Sequence, residues 1–174
     1  TTTTSYNVGI GSNALRFNTS NGNVGIGFEA LTSMTTNDNY PNTAIGRGSL
    51  RNNTTGNSNS AIGDQALFAN TTGVSNSALG TYALFANTTG VANNAMGYNS
   101  MLSNTTGFRN VALGNAALYN NISGSYNTAV GNNAFQIGAN YSNSTALGYN
   151  TVITASDQAR IGNNAVTSIG GQVG

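Results

Sequence analysis

The chain lacks several residue types on which enzymes and nucleic-acid-binding proteins commonly depend. Its 174 residues include no cysteine, histidine, lysine or tryptophan, a single proline, and only 5% charged residues, against roughly 25% in average soluble domains. The absence of cysteine excludes disulfides and thiolate metal sites. Without histidine or cysteine, nucleophiles of the Ser-His or Cys-His kind are excluded as well. Five scattered arginines and a formal net charge of +1 argue against nucleic-acid binding through a basic surface.

Long apolar segments are also missing. The longest apolar runs are a few residues, well short of the ~20 needed to cross a bilayer. The first residues, TTTTSYNVGIG, have neither the basic region nor the apolar region of a signal peptide. We therefore expect neither a membrane-spanning segment nor a signal peptide in this sequence. The 38% of hydrophobic residues recur at regular intervals, which predicts a folded chain rather than a disordered one.

What the sequence has instead is an internal repeat. Around each copy the consensus is N-S/T-A-I/L-G-x-x-A-L-x-x-N-T-T-G-x-x, and an apolar residue precedes the first glycine. The steps between these glycines are 16, 19, 17, 17, 17, 17, 17, 17 and 14 residues. The glycines are Gly11, Gly27, Gly46, Gly63, Gly80, Gly97, Gly114, Gly131, Gly148 and Gly162.

A unit of 17 residues is too short for helical-pair repeats, which need about 33 residues or more. Its glycines and Asn-Thr pairs favour turns over helix interiors. We predict an all-β fold, a parallel β-solenoid of about ten 17-residue coils, with strands at phrases such as SAIG and ALF and corners at the glycines and NTTG. Coils would stack at about 4.8 Å each. The solenoid is expected to span residues 1–162, and residues 163–174 to form a C-terminal neck or linker.

Stacking places equivalent residues of successive coils in rows. NTT is formally a glycosylation motif, but we interpret Asn53, Asn70, Asn87 and Asn104 as turn residues that stack on the next coil. Uncharged residues suit such rows because like charges in register repel. The predicted structural core rows are Ile45, Ile62, Leu79, Met96, Leu113 and Val130, and Leu50, Leu67, Leu84 and Leu118.

The strands predicted at SAIG and ALF are apolar on both faces. Ala61 and Ile62 are neighbours, as are Ala66 and Leu67, and neighbouring strand residues point to opposite faces. A strand that is apolar on both faces is generally buried on both. One face lines the coil interior, and we expect the other to be covered by a second copy of the chain.

The phrase NSAIGDQALFANTTGVSNSALGTYALFANTTG resembles the head repeats of trimeric autotransporter adhesins of the YadA type. It is equally similar to repeats of phage tail-fibre and surface-fibre proteins, and the resemblance covers roughly residues 7–162. It implies a left-handed parallel β-roll built by three chains, and hence a homotrimer. Adhesin heads commonly use shorter units, so the additional NTTG residues would form loops here.

The last stretch, TASDQARIGNNAVTSIGGQVG, resembles the segment that precedes an endosialidase-type intramolecular chaperone. That resemblance implies a trimerising domain that would follow these residues and be cleaved away.

These observations favour a non-catalytic structural or adhesive module of a trimeric fibre, located outside the cell, on the cell surface or on a virion. The expected partners are the chain itself, as a homotrimer, and a cell-surface glycan or protein receptor. We expect no enzyme activity, catalytic residue, cofactor, metal, nucleic-acid partner or membrane insertion. Two alternatives are an ice-binding solenoid that uses threonine and asparagine rows, such as Thr55, Thr72, Thr89 and Thr106, and a polysaccharide-binding fragment of a tail spike.

Recognition is predicted where the sequence departs from the repeat. The longest insertion, residues 32–43, holds the only proline, and within it Asp38, Asn39 and Tyr40 offer hydrogen bonds and a ring face to a sugar. Tyr82 and Tyr98 are predicted as further surface residues.

Two other groups of side chains have competing interpretations. Phe68, Phe85 and Tyr119 form a row that either packs or offers a sugar-stacking strip. Glu29 and Asp64 fall two coils apart, about 10 Å, within the range of a glycosidase carboxylate pair. We interpret these two acids as isolated surface residues.

Overall fold

In the part of the chain that the structure describes, ten strands of three residues each stack in chain order as one parallel sheet. The computed structural model describes residues 6–35, 40–135 and 140–167. The strands are β1 (Val8–Ile10), β2 (Val24–Ile26), β3 (Thr43–Ile45), β4 (Ser60–Ile62), β5 (Ser77–Leu79), β6 (Asn94–Met96), β7 (Val111–Leu113), β8 (Thr128–Val130), β9 (Thr145–Leu147) and β10 (Ala159–Ile161).

Neighbouring strands pair at equivalent positions of the repeat, so that Ala61 pairs with Ala78 and Ile62 with Leu79. The predicted parallel β-solenoid is therefore confirmed, with about nine turns and no helix in the part of the chain that the structure describes. The last strand ends at Ile161. Residues 163–167 contain no strand, and residues 168–174 lie outside the described residues.

Each regular strand buries its middle residue and turns the two flanking residues outward, as in β5, where Ala78 is buried between the exposed Ser77 and Leu79. This alternation is the ordinary two-residue period of a strand. The small alanines let the coil close tightly around its interior. Equivalent buried alanines in the regular coils are Ala44, Ala61, Ala78, Ala95, Ala112, Ala129 and Ala146.

The prediction of a second strand at ALF is wrong. This segment forms two consecutive turns, closed in one coil by the bonds from the Ala66 N–H to the Gly63 carbonyl and from the Asn70 N–H to the Leu67 carbonyl. Leu67 has a φ of 52°, in the left-handed region, which turns its side chain inward beside that of Ala66. Both side chains are fully buried. The apolar pair therefore fills the interior of one chain and does not make a two-faced strand.

The interior is a continuous stack that follows from this arrangement. The buried strand alanines face a row of larger side chains, one per coil, which contact each other along the axis. That row consists of Leu31, Leu50, Leu67, Leu84, Met101, Leu118 and Phe135, all fully or almost fully buried.

The NTTG corner is held by a buried asparagine ladder. The Asn87 Nδ2 donates to the Asn70 Oδ1 at 2.7 Å and to the Gly90 carbonyl within its own turn. The Asn104 Nδ2 donates in turn to the Asn87 Oδ1 at 2.9 Å. A second ladder runs beside the first, in which each asparagine accepts a backbone N–H from the next, as Asn76 accepts from Asn93. Buried carboxamides are tolerated here because their polar atoms are paired.

At the same corner, several hydrogen-bond donors of one coil converge on a single carbonyl oxygen of the next coil. The backbone N–H groups of Thr54, Thr55 and Gly56 all donate to the Thr71 carbonyl at 3.0–3.2 Å. The Thr54 hydroxyl donates to that oxygen as well. The arrangement recurs one coil later on the Thr88 carbonyl, and it ties each turn to the next without a charged group.

Candidate functional site

The first surface with functional potential is the outer face of the strands. The third residue of every strand points outward and is apolar, and we call this set the outer apolar row: Ile10, Ile26, Ile45, Ile62, Leu79, Met96, Leu113, Val130, Leu147 and Ile161. In the central coils these side chains are 40–49% exposed, and the flanking Ser77, Asn94 and Val111 are uncharged. Between β5 and β7 the row borders a shallow groove of about 220 Å³ whose lining is mostly apolar.

The two rows that the sequence predicted as core thus occupy different environments. Leu50, Leu67, Leu84 and Leu118 are fully buried within the chain. The other row is the outer apolar row, of which Ile45 and Val130 are half-buried and Ile62, Leu79, Met96 and Leu113 are exposed. In the single chain the second row therefore lies on the surface and not in the interior.

The predicted recognition loop is described only in part. Asp38 and Asn39 lie outside the described residues. Tyr40 is 64% exposed, and Pro41 follows it close to Gly22 of the preceding coil.

Tyr82 and Tyr98 belong to a chain of aromatic contacts on the corner that follows the strands. The Phe68 and Phe85 rings stack at 5.3 Å between centroids and 11° between planes, and the Arg51 guanidinium lies 5.5 Å from the Phe68 centroid. Tyr82 meets the Phe85 ring edge-on at 5.7 Å, and Tyr98 meets Tyr82 at 6.4 Å. Because Phe68 and Phe85 turn their faces toward each other, this arrangement favours intramolecular packing over the sugar-stacking strip.

Two acids of the described residues, Glu29 and Asp64, are each paired with an arginine. Asp64 accepts two bonds of 2.8 Å from the Arg47 guanidinium, and Glu29 lies 2.7 Å from the Arg51 Nε. The hydrogen bonds from Arg47, and to a smaller extent its charge, lower the pKa of the Asp64 carboxyl below its ordinary value. A carboxyl with a lowered pKa is a poor proton donor near neutral pH.

The asparagines of the glycosylation motif are not available to solvent. Asn53, Asn70, Asn87 and Asn104 are each fully buried and take part in the ladder that joins successive coils. Their Nδ2 atoms are committed to hydrogen bonds, which suits the stacking role predicted for them.

The threonine rows of the NTTG corner differ from each other. Thr55, Thr72, Thr89 and Thr106 are exposed. The hydroxyls of the adjacent row, such as Thr71 and Thr88, donate to carbonyls of the next coil. A flat, two-row hydroxyl array of the kind expected for ice binding is therefore not formed at this corner.

One exposed cluster was not predicted from the sequence. The Phe108 and Tyr126 rings meet edge-on at 5.0 Å, and the Arg109 guanidinium lies 5.8 Å from the Tyr126 centroid. Val91 and Ala92 occupy the positions of Phe108 and Arg109 one coil earlier. Aligning the coils and looking for positions that depart from the consensus would have identified this cluster from the sequence.

Within residues 6–35, 40–135 and 140–167, no group of three or more acidic, histidine or cysteine side chains is placed to bind a metal ion. In the same residues the structure contains no helix of the length and apolarity that would cross a bilayer. In the comparisons with known proteins, no family model, no curated protein and no solved structure matches the chain.

Proposed function

We propose that the chain is a non-catalytic structural and adhesive module of a homotrimeric fibre located outside the cell or on a virion. The observation that carries this proposal is the outer apolar row. Side chains such as Leu79 and Met96 leave nearly half of their surface exposed, coil after coil. A contiguous apolar stripe of this kind marks an interaction surface in soluble proteins.

A second copy of the same chain is the partner that fits this stripe best. The repeat presents the same apolar side chain at each coil, so copies placed side by side in register would match along the whole solenoid. The resemblance to adhesin heads and tail-fibre repeats supports three chains around one axis and a left-handed winding. The remaining faces, with their polar corners, stay available for attachment to a cell-surface glycan or protein receptor.

The test is to combine mass measurement with charge substitution in the row. We expect light scattering at micromolar concentration to give about three times the 17.7 kDa chain mass. Ile62→Asp and Leu79→Asp should each reduce the mass to that of one chain, because an unpaired charge in a dry interface costs several kcal/mol.

Thr72→Asp is the matched control, since it adds the same charge at an exposed position of the NTTG corner. This variant should keep the mass of the assembly. A folded wild-type monomer at micromolar concentration would contradict the proposal, as would Leu79→Asp chains that still assemble.

A further inference from the structure

One surface row carries tyrosine and asparagine side chains that face solvent. The residues directly after four successive corner glycines are Tyr98, Asn115, Asn132 and Tyr149, all exposed, and we call them the Tyr–Asn row. Backbone hydrogen bonds between coils hold these four residues in register. The N–H groups of Ala116, Asn133 and Asn150 donate to the carbonyls of Tyr98, Asn115 and Asn132 at 2.9, 2.9 and 3.0 Å. Three coil steps separate the two tyrosines, about 14 Å at the usual strand spacing.

Three of these four side chains differ from the other aromatic and polar groups of the surface because, within the described residues, they pair with no other side chain. The fourth, Tyr98, meets the Tyr82 ring edge-on at 6.4 Å. Phe68 and Phe85 stack on each other, and the Arg109 side chain donates to the Tyr126 hydroxyl. Within the described residues, the Asn115 and Asn132 carboxamides have no hydrogen-bond partner, and the Tyr149 ring makes no ring contact. Tyr98 and Tyr149 are 51% and 61% exposed.

The chemistry of the row is uncharged, amphipathic and periodic. Tyrosine offers an apolar face and a hydroxyl, and each carboxamide both donates and accepts. This combination matches a sugar ring, which has an apolar face and hydroxyls around its edge. The same position carries the Arg47–Asp64 ion pair in the earlier coils, so the uncharged row begins only after that pair. Without a charged side chain, the row offers no counter-charge to an ionic ligand.

We propose that the Tyr–Asn row binds an extended, uncharged chain of β-linked pyranose rings, with about one ring per coil. The length of one ring in such a chain is close to the rise of one coil. Tyr98 and Tyr149 would stack on rings at the two ends, and Asn115 and Asn132 would bond hydroxyls of the rings between them. This inference rests on the proposed attachment function, and a trimer would present the row three times and gain affinity through avidity.

The test uses the full chain and two uncharged β1→4-linked probes, cellohexaose and chitohexaose, in titration calorimetry. We expect at least one probe to bind. Tyr149→Ala and Tyr98→Ala should each weaken that binding roughly tenfold, the effect of losing one aromatic contact. Tyr149→Phe should retain most of it, because the ring face is kept.

Tyr126→Ala is the matched control: Tyr126 is an equally exposed tyrosine (49%) on a different corner, and its removal should leave binding unchanged. A melting curve for each variant shows that it folds. The proposal is overturned if neither probe binds at millimolar concentration, if the Tyr98 and Tyr149 variants bind as the wild type does, or if a heparin hexasaccharide, which is anionic, binds more tightly. Light scattering on the same samples reports assembly separately, so failure of the trimer and failure of the row are distinguished.

Discussion

At the scale of the residue, the fold depends on side-chain-bearing residues in a left-handed backbone conformation. In the coil that begins at Gly63, Gln65, Leu67 and Ser75 have φ angles of 53°, 52° and 58°. Residues with a Cβ pay roughly 1–2 kcal/mol for this conformation. Leu67 offsets the cost by filling the interior, because only the left-handed turn directs both it and Ala66 inward.

Ala92 offers a direct measure of that strain. It holds the left-handed position of its coil with a φ of 55° and is only half-buried. We expect Ala92→Gly to raise the free energy of unfolding by about 0.5 kcal/mol, because the relief of strain exceeds the added chain entropy of glycine. Chemical denaturation at fixed protein concentration measures this change in the free energy of unfolding.

Ala69→Gly is the control, since the half-buried Ala69 is not at a left-handed position. It should lower the free energy of unfolding by about 0.5–1 kcal/mol. Changes of the same sign in both variants would refute the strain argument.

At the scale of the element, the sequence predicted the strand and missed the turn. SAIG alternates small, apolar and glycine residues in a way that predicts a strand ending at a corner, and the structure confirms it in β4. ALF has the same apolar character, yet it forms two turns. Local propensity contains no sign that a leucine adopts a positive φ, since that choice is made by the packing of Leu67 between neighbouring coils.

The corner glycines are the element that the sequence identifies most clearly. Gly80 has a φ of 137°, and a Cβ placed there would lie 2.6 Å from the Gly97 carbonyl oxygen of the next coil. We expect Gly80→Ala to lower the free energy of unfolding by about 3 kcal/mol or more, because backbone strain and overlap add. Thermal and chemical denaturation provide the measurement.

Gly48 supplies the comparison for Gly80. The equivalent positions of the next two coils carry Gln65 and Tyr82, also at positive φ. A Cβ added at Gly48 would meet side-chain atoms and no backbone among its nearest neighbours, the Phe68 ring at 3.3 Å and the Gln65 Cγ at 3.5 Å. Gly48→Ala should therefore change stability by less than ~1 kcal/mol. Equal losses in the two variants would show that the row of corner glycines has no special requirement.

At the scale of the whole molecule, contacts between strands of the described residues join only adjacent coils, so stability is close to a sum over nearest-neighbour interfaces. Every residue of β1 and β10 is exposed, whereas β4 to β7 keep a buried middle alanine. We expect the amides of Ala159–Ile161 to exchange with deuterium at least about tenfold faster than those of Ser77–Leu79. Uniform protection along the solenoid would contradict this nearest-neighbour picture.

The candidate sites were less predictable than the fold. The repeat determines which residues share a row, so Tyr98 could be placed on a surface corner from the sequence. It does not determine whether side chains in adjacent rows pair with each other. The Phe68–Phe85 stack and the Arg47–Asp64 ion pair depend on side-chain geometry between coils, and no one-dimensional pattern contains that information.

The direction of the bonds between coils has a mechanical consequence. The Ser77 N–H donates to Asn93 of the following coil and the Gly80 N–H to Ile62 of the preceding one, so these bonds point along the stacking direction. A tensile load between the chain ends pulls such bonds apart end-on, one coil at a time, instead of shearing many together. Each yielding step releases a unit of 17 residues, or about 60 Å of extended chain. We therefore expect a single chain to unravel progressively under tension, and in the proposed fibre the chains side by side would share the force.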